Sequence, residues 1–249
     1  MKERSKAYTA GLMDADGTLT ITSCIHNTLG HRLYDPTVSC TSVYRPTLEW
    51  LVKHFGGTVY GHKITSTSVL PRFDWVTQTY THSEKFVSLI RPYLLQKAEQ
   101  ADALLQFYSL YRQQCPELRQ QIYERIVLLN TTSSLTTNTS GVNWKLNQMN
   151  AYLAGFFDGE GSFQYLNKGT TLRVELGNTN FALLGLLQKQ FGGHIYNLGG
   201  ASRPNHRKPM KQWVLGTRLE LEKFFLATLP YLITKRADAL KGLENVRRR

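Results

Sequence analysis

Two acidic side chains, Asp16 and Glu160, stand at the same place in two copies of one short segment. Ala7-Tyr8-Thr9-Ala10-Gly11-Leu12-Met13-Asp14-Ala15-Asp16-Gly17 recurs 144 residues later as Ala151-Tyr152-Leu153-Ala154-Gly155-Phe156-Phe157-Asp158-Gly159-Glu160-Gly161. Carboxylates are hard oxygen ligands that suit Mg2+ or Mn2+ rather than zinc. Each acid falls in the last turn of an expected helix, where the backbone dipole is negative. If the two helices pack side by side, the anions meet, and a bound divalent cation relieves their repulsion. If they do not, the pair are ordinary surface acids at helix ends. The seven histidines are scattered and lack the H-E-x-x-H spacing of a zinc site. Cys24, Cys40 and Cys115 are too few and too dispersed for a disulfide frame or a zinc site.

The spacing of small residues gives a reason for those helices to touch. Ala7, Gly11 and Ala15 lie at i, i+4 and i+8, and so do Ala151, Gly155 and Gly159. A stripe of small residues lets two helix backbones approach closely. Glycine inside a helix costs roughly 1 kcal/mol relative to alanine, so a packing gain is expected to offset it. The other faces carry Leu12, Met13, Phe156 and Phe157, which suit a core. The plainer reading is two ordinary glycine-containing helices, each in its own domain.

The duplication extends along the whole chain. Phe55-Gly56-Gly57 returns as Phe191-Gly192-Gly193, Trp75-Val76 as Trp213-Val214, and Glu84-Lys85-Phe86 as Glu222-Lys223-Phe224. Pro92-Tyr93-Leu94 with Lys97 returns as Pro230-Tyr231-Leu232 with Lys235. The first half reads as a helix at 7–15, strands at 18–22 and 38–43, and a helix at 46–55 that starts at proline and stops at Gly56-Gly57. Strands near 58–66 and 72–80 and helices at 83–90 and 93–107 complete it. The second half repeats the order, with strands near 162–167, 171–177, 194–199 and 211–216. The expected class is α+β, with an αββαββα layout per half. The expected domains are 1–130, including a helical extension over 117–130; a Ser/Thr/Asn-rich linker over 131–148; and 149–249.

Thirty Lys and Arg against eighteen Asp and Glu give a net charge of +12. A chain this basic usually partners a polyanion, nucleic acid or an acidic membrane, although a merely basic protein is the plain alternative. The charge is spread rather than gathered in one run, apart from Arg247-Arg248-Arg249, which argues against a polybasic membrane anchor. No apolar run approaches the roughly 18–20 residues of a membrane span. The charged start, Met1 to Lys6, has no signal-peptide character. An intracellular setting is expected: an organelle, chloroplast or mitochondrion, or the bacterial cytoplasm.

The two repeated segments resemble the LAGLIDADG motif of homing endonucleases, in the single-chain form that carries both motifs. Two copies in one basic chain make the resemblance specific. It implies two pseudo-symmetric αββαββα halves with the motif helices packed at a central interface. It also implies two antiparallel sheets that form a saddle over the DNA major groove. In the family, the acid before the motif's final glycine binds the catalytic metals; here these are Asp16 and Glu160, with Ala15 and Gly159 beside them. The cofactor implied is Mg2+, with Mn2+ or Ca2+ able to substitute in binding. The earlier acids, Asp14 and Asp158, read as structural groups bonding near the helix ends. A basic residue after the Pro-aromatic-Leu turn lies near the cleaved phosphate in relatives, and Lys97 and Lys235 match it. Such a lysine stabilises developing negative charge or holds water; otherwise it is a solvated helix-start lysine. Ser42, Asn178 and Asn180 are candidates for completing a water network.

Strand parity then assigns the readers. Thr18, Thr20, Thr22, Cys24 and His26 share parity with Asp16, and Ser162, Gln164 and Lys168 share parity with Glu160. Leu166 breaks the polar run. Further DNA-binding candidates are His62, Arg72, Asp74, Arg173, Arg207, Lys208 and Gln212. Arg and Gln suit base edges, and Lys more often holds phosphate. The partner expected is double-stranded DNA with a non-palindromic target, cut on both strands by a monomer. An intron maturase that binds host intron RNA on the same scaffold stays open, as does a DNA-binding regulator that has lost cleavage. The retained acids and paired lysines speak against the latter.

Overall fold

The computed structural model describes residues 2–26, 32–62, 70–110, 113, 115–132, 143–166, 171–198 and 209–248. Its chain groups into two compact units, Asp16–Ser133 and Lys2–Ala15 with Ser134–Arg249. The first helix therefore packs with the second half of the sequence. No described helix is long and apolar enough to cross a membrane.

Helix α1 (Glu3–Asp16) runs into strands β1 (Gly17–Ile25) and β2 (Arg32–Ser42). Then come α2 (Arg45–Phe55), β3 (Thr58–Gly61), β4 (Phe73–Val76), α3 (Tyr80–Ile90), a 3-10 turn (Arg91–Tyr93), α4 (Ala98–Ser109) and α5 (Pro116–Thr132). The second half gives α6 (Leu146–Glu160), β5 (Gly161–Leu166), β6 (Thr171–Asn178), α7 (Phe181–Phe191), β7 (His194–Leu198) and β8 (Met210–Leu215). It ends with α8 (Arg218–Thr228) and α9 (Arg236–Arg247). The two antiparallel sheets have the orders β1-β2-β4-β3 and β5-β6-β8-β7.

Several boundaries differ from the expected ones; β1 runs on to Ile25 and β2 begins at Arg32 rather than 38. The strand expected over 58–66 ends at Gly61, and residues 63–69 lie outside the described set. The strand expected over 72–80 is confined to Phe73–Val76, because Thr79 caps α3 by accepting from the His82 amide at 3.2 Å. The helix expected from 93 begins at Ala98, because Pro92 holds a 3-10 turn at 91–93 and Leu94 returns to extended backbone. The linker is shorter than expected at both ends: α5 continues to Thr132 and α6 begins at Leu146.

Each sheet buries one face. In the first unit Leu19, Ile21, Val38, Cys40 and Trp75 are buried, with Trp75 against Phe86 of α3 at 4.8 Å between ring centroids. In the second unit Val174, Leu176, Trp213 and Leu215 are buried with Phe224. The Gly-Gly pairs after α2 and α7 adopt the left-handed backbone, φ 78° and 93° in one half and 89° and 85° in the other, which other residues avoid. That turn aims the Gly56 carbonyl at Trp75 Nε1 and the Gly192 carbonyl at Trp213 Nε1, each 2.8 Å away. The same polar anchor thus holds the core tryptophan of each unit.

Candidate nuclease site and nucleic-acid faces

Helices α1 and α6 meet backbone to backbone. A Cβ on Gly11 would collide with the Tyr152 carbonyl oxygen and stand 2.9 Å from the Phe156 nitrogen. A Cβ on Gly155 would collide with the Tyr8 carbonyl oxygen and stand 3.0 Å from the Leu12 nitrogen. Ala7 and Ala151 are buried, whereas Ala15 and Gly159, nearer the helix ends, are half-buried. Each glycine at this contact is followed five residues later by a terminal acid, Asp16 or Glu160, the last residue of its helix.

The other motif acids are engaged. Tyr8 donates its hydroxyl to Asp158 and Tyr152 donates to Asp14, both at 2.7 Å. Burial and the adjacent Asp14 carboxylate push the Tyr152 hydroxyl well above its ordinary pKa, so it remains a donor. Asp158 also accepts from the Ile233, Thr234 and Lys235 amides at 2.7, 3.1 and 2.9 Å. These amides lead into α9, so the carboxylate lies at the positive end of a helix. Tyr8 and Tyr152 were not singled out in the sequence. Their signal was their shared place in the repeat, since a buried tyrosine tip requires a partner.

Lys235 is brought to the end of α6. Its ammonium donates to the Asp158 carbonyl and lies 5.9 Å from the Phe157 ring centre. A cation there opposes the negative end of the α6 dipole. Lys97 takes the matching place in the first half, just before α4. Its charge and that of Asp16 both reach Cys40, which pairs with Gly17 across β1 and β2. Burial raises the Cys40 thiol, Asp16 raises it further, and Lys97 opposes that shift. Cys40 thus stays a neutral thiol in the layer beneath Asp16; Leu176, opposite Gly161, fills its place in the second half. Ser42, Asn178 and Asn180 each hold a nearby backbone amide. Ser42 accepts from the Tyr44 amide at 3.1 Å, Asn178 from the Asn180 amide at 2.7 Å, and Asn180 caps α7 through Leu183 N at 3.2 Å.

The outward sheet faces mix polar side chains with exposed apolar ones such as Tyr60, Leu166 and Tyr196. Thr18, Thr20, Thr22 and Cys24 are exposed or half-buried on β1, with Thr20 accepting from Asn130 of α5 at 3.0 Å. His26 lies just past the strand. On the β3-β4 hairpin, Asp74 accepts from Thr41 at 2.7 Å and bonds His62 Nε2 at 2.6 Å, with Arg72 Nε 3.7 Å away. Partial burial alone would raise the Asp74 carboxyl, but Thr41, His62 and Arg72 outweigh it and hold the group below its ordinary value. In the second unit Ser162 and Gln164 lie on β5, Gln164 facing Arg173 across the ladder. Gln212 on β8 donates to Glu175 at 2.8 Å. Glu175 and Thr41, which the sequence reading missed, bond two of these candidates, and only strand register reveals them. Lys168, Arg207 and Lys208 lie outside the described residues.

Residues 147–194 match the sequence model of a family described as LAGLIDADG-like domain. No curated protein matches the sequence. Solved structures do match over the full length. The meganuclease I-SmaMI bound to uncleavable DNA aligns with a TM-score of 0.70 at 18% identity, over 99% of this chain and 91% of that one. I-SmaMI bound to uncleaved DNA with calcium ions gives 0.68 at 19%, over 98% and 96%. The LAGLIDADG homing endonuclease I-GzeII in complex with its DNA target gives 0.73 at 14%, over 97% and 89%. With residues 147–194 inside a LAGLIDADG-like domain and its backbone matched nearly end to end, this chain has the fold of the LAGLIDADG homing endonucleases.

Proposed function

We propose that this chain is a site-specific endonuclease that makes a double-strand break in a long, non-palindromic DNA target, acting as a monomer with divalent metal. The observation that carries the reading is the division of labour among the four motif acids. Asp14 and Asp158 are buried and bonded to tyrosines of the opposite helix, whereas Asp16 and Glu160 close helices that cross at Gly11 and Gly155.

The donor chemistry fits Mg2+. Among the described residues no group of three or more His, Cys, Asp or Glu gathers to form an all-protein metal cage. One carboxylate per motif, with the Ala15 and Gly159 carbonyls nearby, leaves coordination to water and phosphate oxygens, the usual habit of Mg2+. When bound, such an ion polarises the scissile phosphate and acidifies an attacking water. Lys235, seated over the Asp158 carbonyl, and Lys97, at the matching place just before α4, supply positive charge for the phosphate as negative charge develops on it. The outward faces differ between the halves, Asp74 with His62 and Arg72 against Gln212 with Glu175, which supports an asymmetric target. The solved relatives bound to DNA support duplex DNA as the partner.

A cleavage selection on randomised duplex DNA with Mg2+ tests this reading. The parent chain is expected to enrich cut products of one long sequence, and Asp16→Asn and Glu160→Gln to yield none. Equal cutting by both variants refutes the site, and enrichment of structured RNA over duplex DNA in a parallel binding arm favours a splicing role.

A further inference from the structure

The Asp74 cluster carries a reading finer than DNA contact, and it rests on the endonuclease proposal. Tyr60, His62, Arg72 and Asp74 share the outward face of the β3-β4 hairpin, because Tyr60 pairs with Asp74 and the His62 amide bonds the Arg72 carbonyl at 2.8 Å. An acid on a surface that meets phosphates is repelled unless compensated. As a direct reader it would accept from the cytosine amino group. Here, however, Oδ1 already accepts from Thr41 and Oδ2 from His62. The carboxylate is only 23% exposed, whereas the Arg72 side chain is 56% exposed.

We propose that Asp74, clamped by Thr41 and His62, is a positioning residue for Arg72, which reads a guanine in the DNA major groove. The Arg72 contact to Asp74 runs through Nε, which leaves the two terminal nitrogens for the guanine O6 and N7 acceptors. An unheld arginine loses rotamer freedom when it binds a base; one steered by a fixed anion loses less. The second sheet has no such arrangement among its described residues. At the equivalent register position, opposite Tyr196, stands Gln212, and its partner is the Glu175 carboxylate. Among the described residues, the anchored arginine therefore belongs to the first sheet only.

The test is a binding selection on randomised duplex DNA with Ca2+, comparing the parent with Arg72→Ala, Asp74→Asn and Thr41→Val. The parent is expected to favour guanine at a position that Arg72→Ala flattens. Asp74→Asn should weaken that same preference about tenfold, and Thr41→Val should weaken it less, with every other position unchanged. A merely structural Asp74 would weaken all positions together, and that result overturns the proposal. So does loss of a cytosine preference in Asp74→Asn at a position Arg72→Ala leaves alone. A parent chain that enriches no duplex sequence removes the DNA reading itself and this proposal with it.

Discussion

Tyr8 donates a 2.7 Å hydrogen bond to Asp158, a residue 150 positions later, and Tyr152 returns the same bond to Asp14. This reciprocal pair fixes how α1 and α6 slide and rotate against each other, because each bond ties a residue midway along one helix to one near the end of the other.

Removing either hydroxyl should therefore loosen the helix pair. Tyr8→Phe and Tyr152→Phe are each expected to cost about 1.5–3 kcal/mol, the usual range for a hydrogen bond to a charged group. Asp158→Ala should cost more than Tyr8→Phe, since it strands the three amides that lead into α9 as well as the Tyr8 hydroxyl. Urea unfolding of the three variants orders these effects; a Tyr8→Phe midpoint equal to the parent's contradicts the role.

Alanine should behave oppositely at different helical glycines. At Gly11 or Gly155 the new methyl meets backbone of the facing helix, so a gain of roughly 1 kcal/mol in helix propensity is overwhelmed by overpacking. At Gly185 in α7 the new methyl would meet nothing within 4 Å, and Gly185→Ala should stabilise by about 0.5–1 kcal/mol. Thermal unfolding of the three single variants decides it; a stabilising Gly155→Ala would deny the close crossing.

Acid sensitivity should include a contribution from the cap of α8. Glu220 accepts from the Gly193 amide at 2.8 Å and the Thr217 hydroxyl at 2.7 Å. Partial burial raises its carboxyl, but these bonds prevail and hold it below its ordinary 4.5. A depressed folded-state value stabilises fully above pH 4.5, and that stabilisation is lost as pH falls below 4.5 through the folded-state value. Glu220→Gln should flatten the stability–pH curve in that acid window and leave its slope at neutral pH unchanged.

Cleavage and binding should separate at the lysine of the second half. Lys235→Met is expected to lower the cleavage rate by at least about tenfold while duplex affinity falls little, as removal of a group acting on developing charge would. Single-turnover cleavage beside a filter-binding isotherm checks this; parallel losses in both would make Lys235 a plain phosphate anchor.

Much of this was legible in the sequence because the chain says it twice. The repeated Gly-Gly after α2 and α7, the paired tryptophans and the paired motif helices all recur in one order, so each assignment had an independent second copy. Strand parity also placed Thr18, Thr22 and Gln164 on outward faces, since alternation is a local property. What stayed hidden depends on register between distant strands. Thr41 bonds Asp74 only because β2 pairs with β4 at that step, and Glu175 reaches Gln212 diagonally because Gly177 stands opposite Gln212 on the paired strand. The cap that Asn180 forms on α7 was hidden for a different reason: it shows only when the Leu183 amide is seen to turn back on the side chain.

Helix α1 is covalently the beginning of the first repeat yet packs with residues 134–249. A polypeptide ending after α5 would thus display an unclothed glycine groove in search of a mate. Cutting the chain between residues 132 and 143 should yield two pieces that reassemble in trans, with activity that rises with the concentration of both.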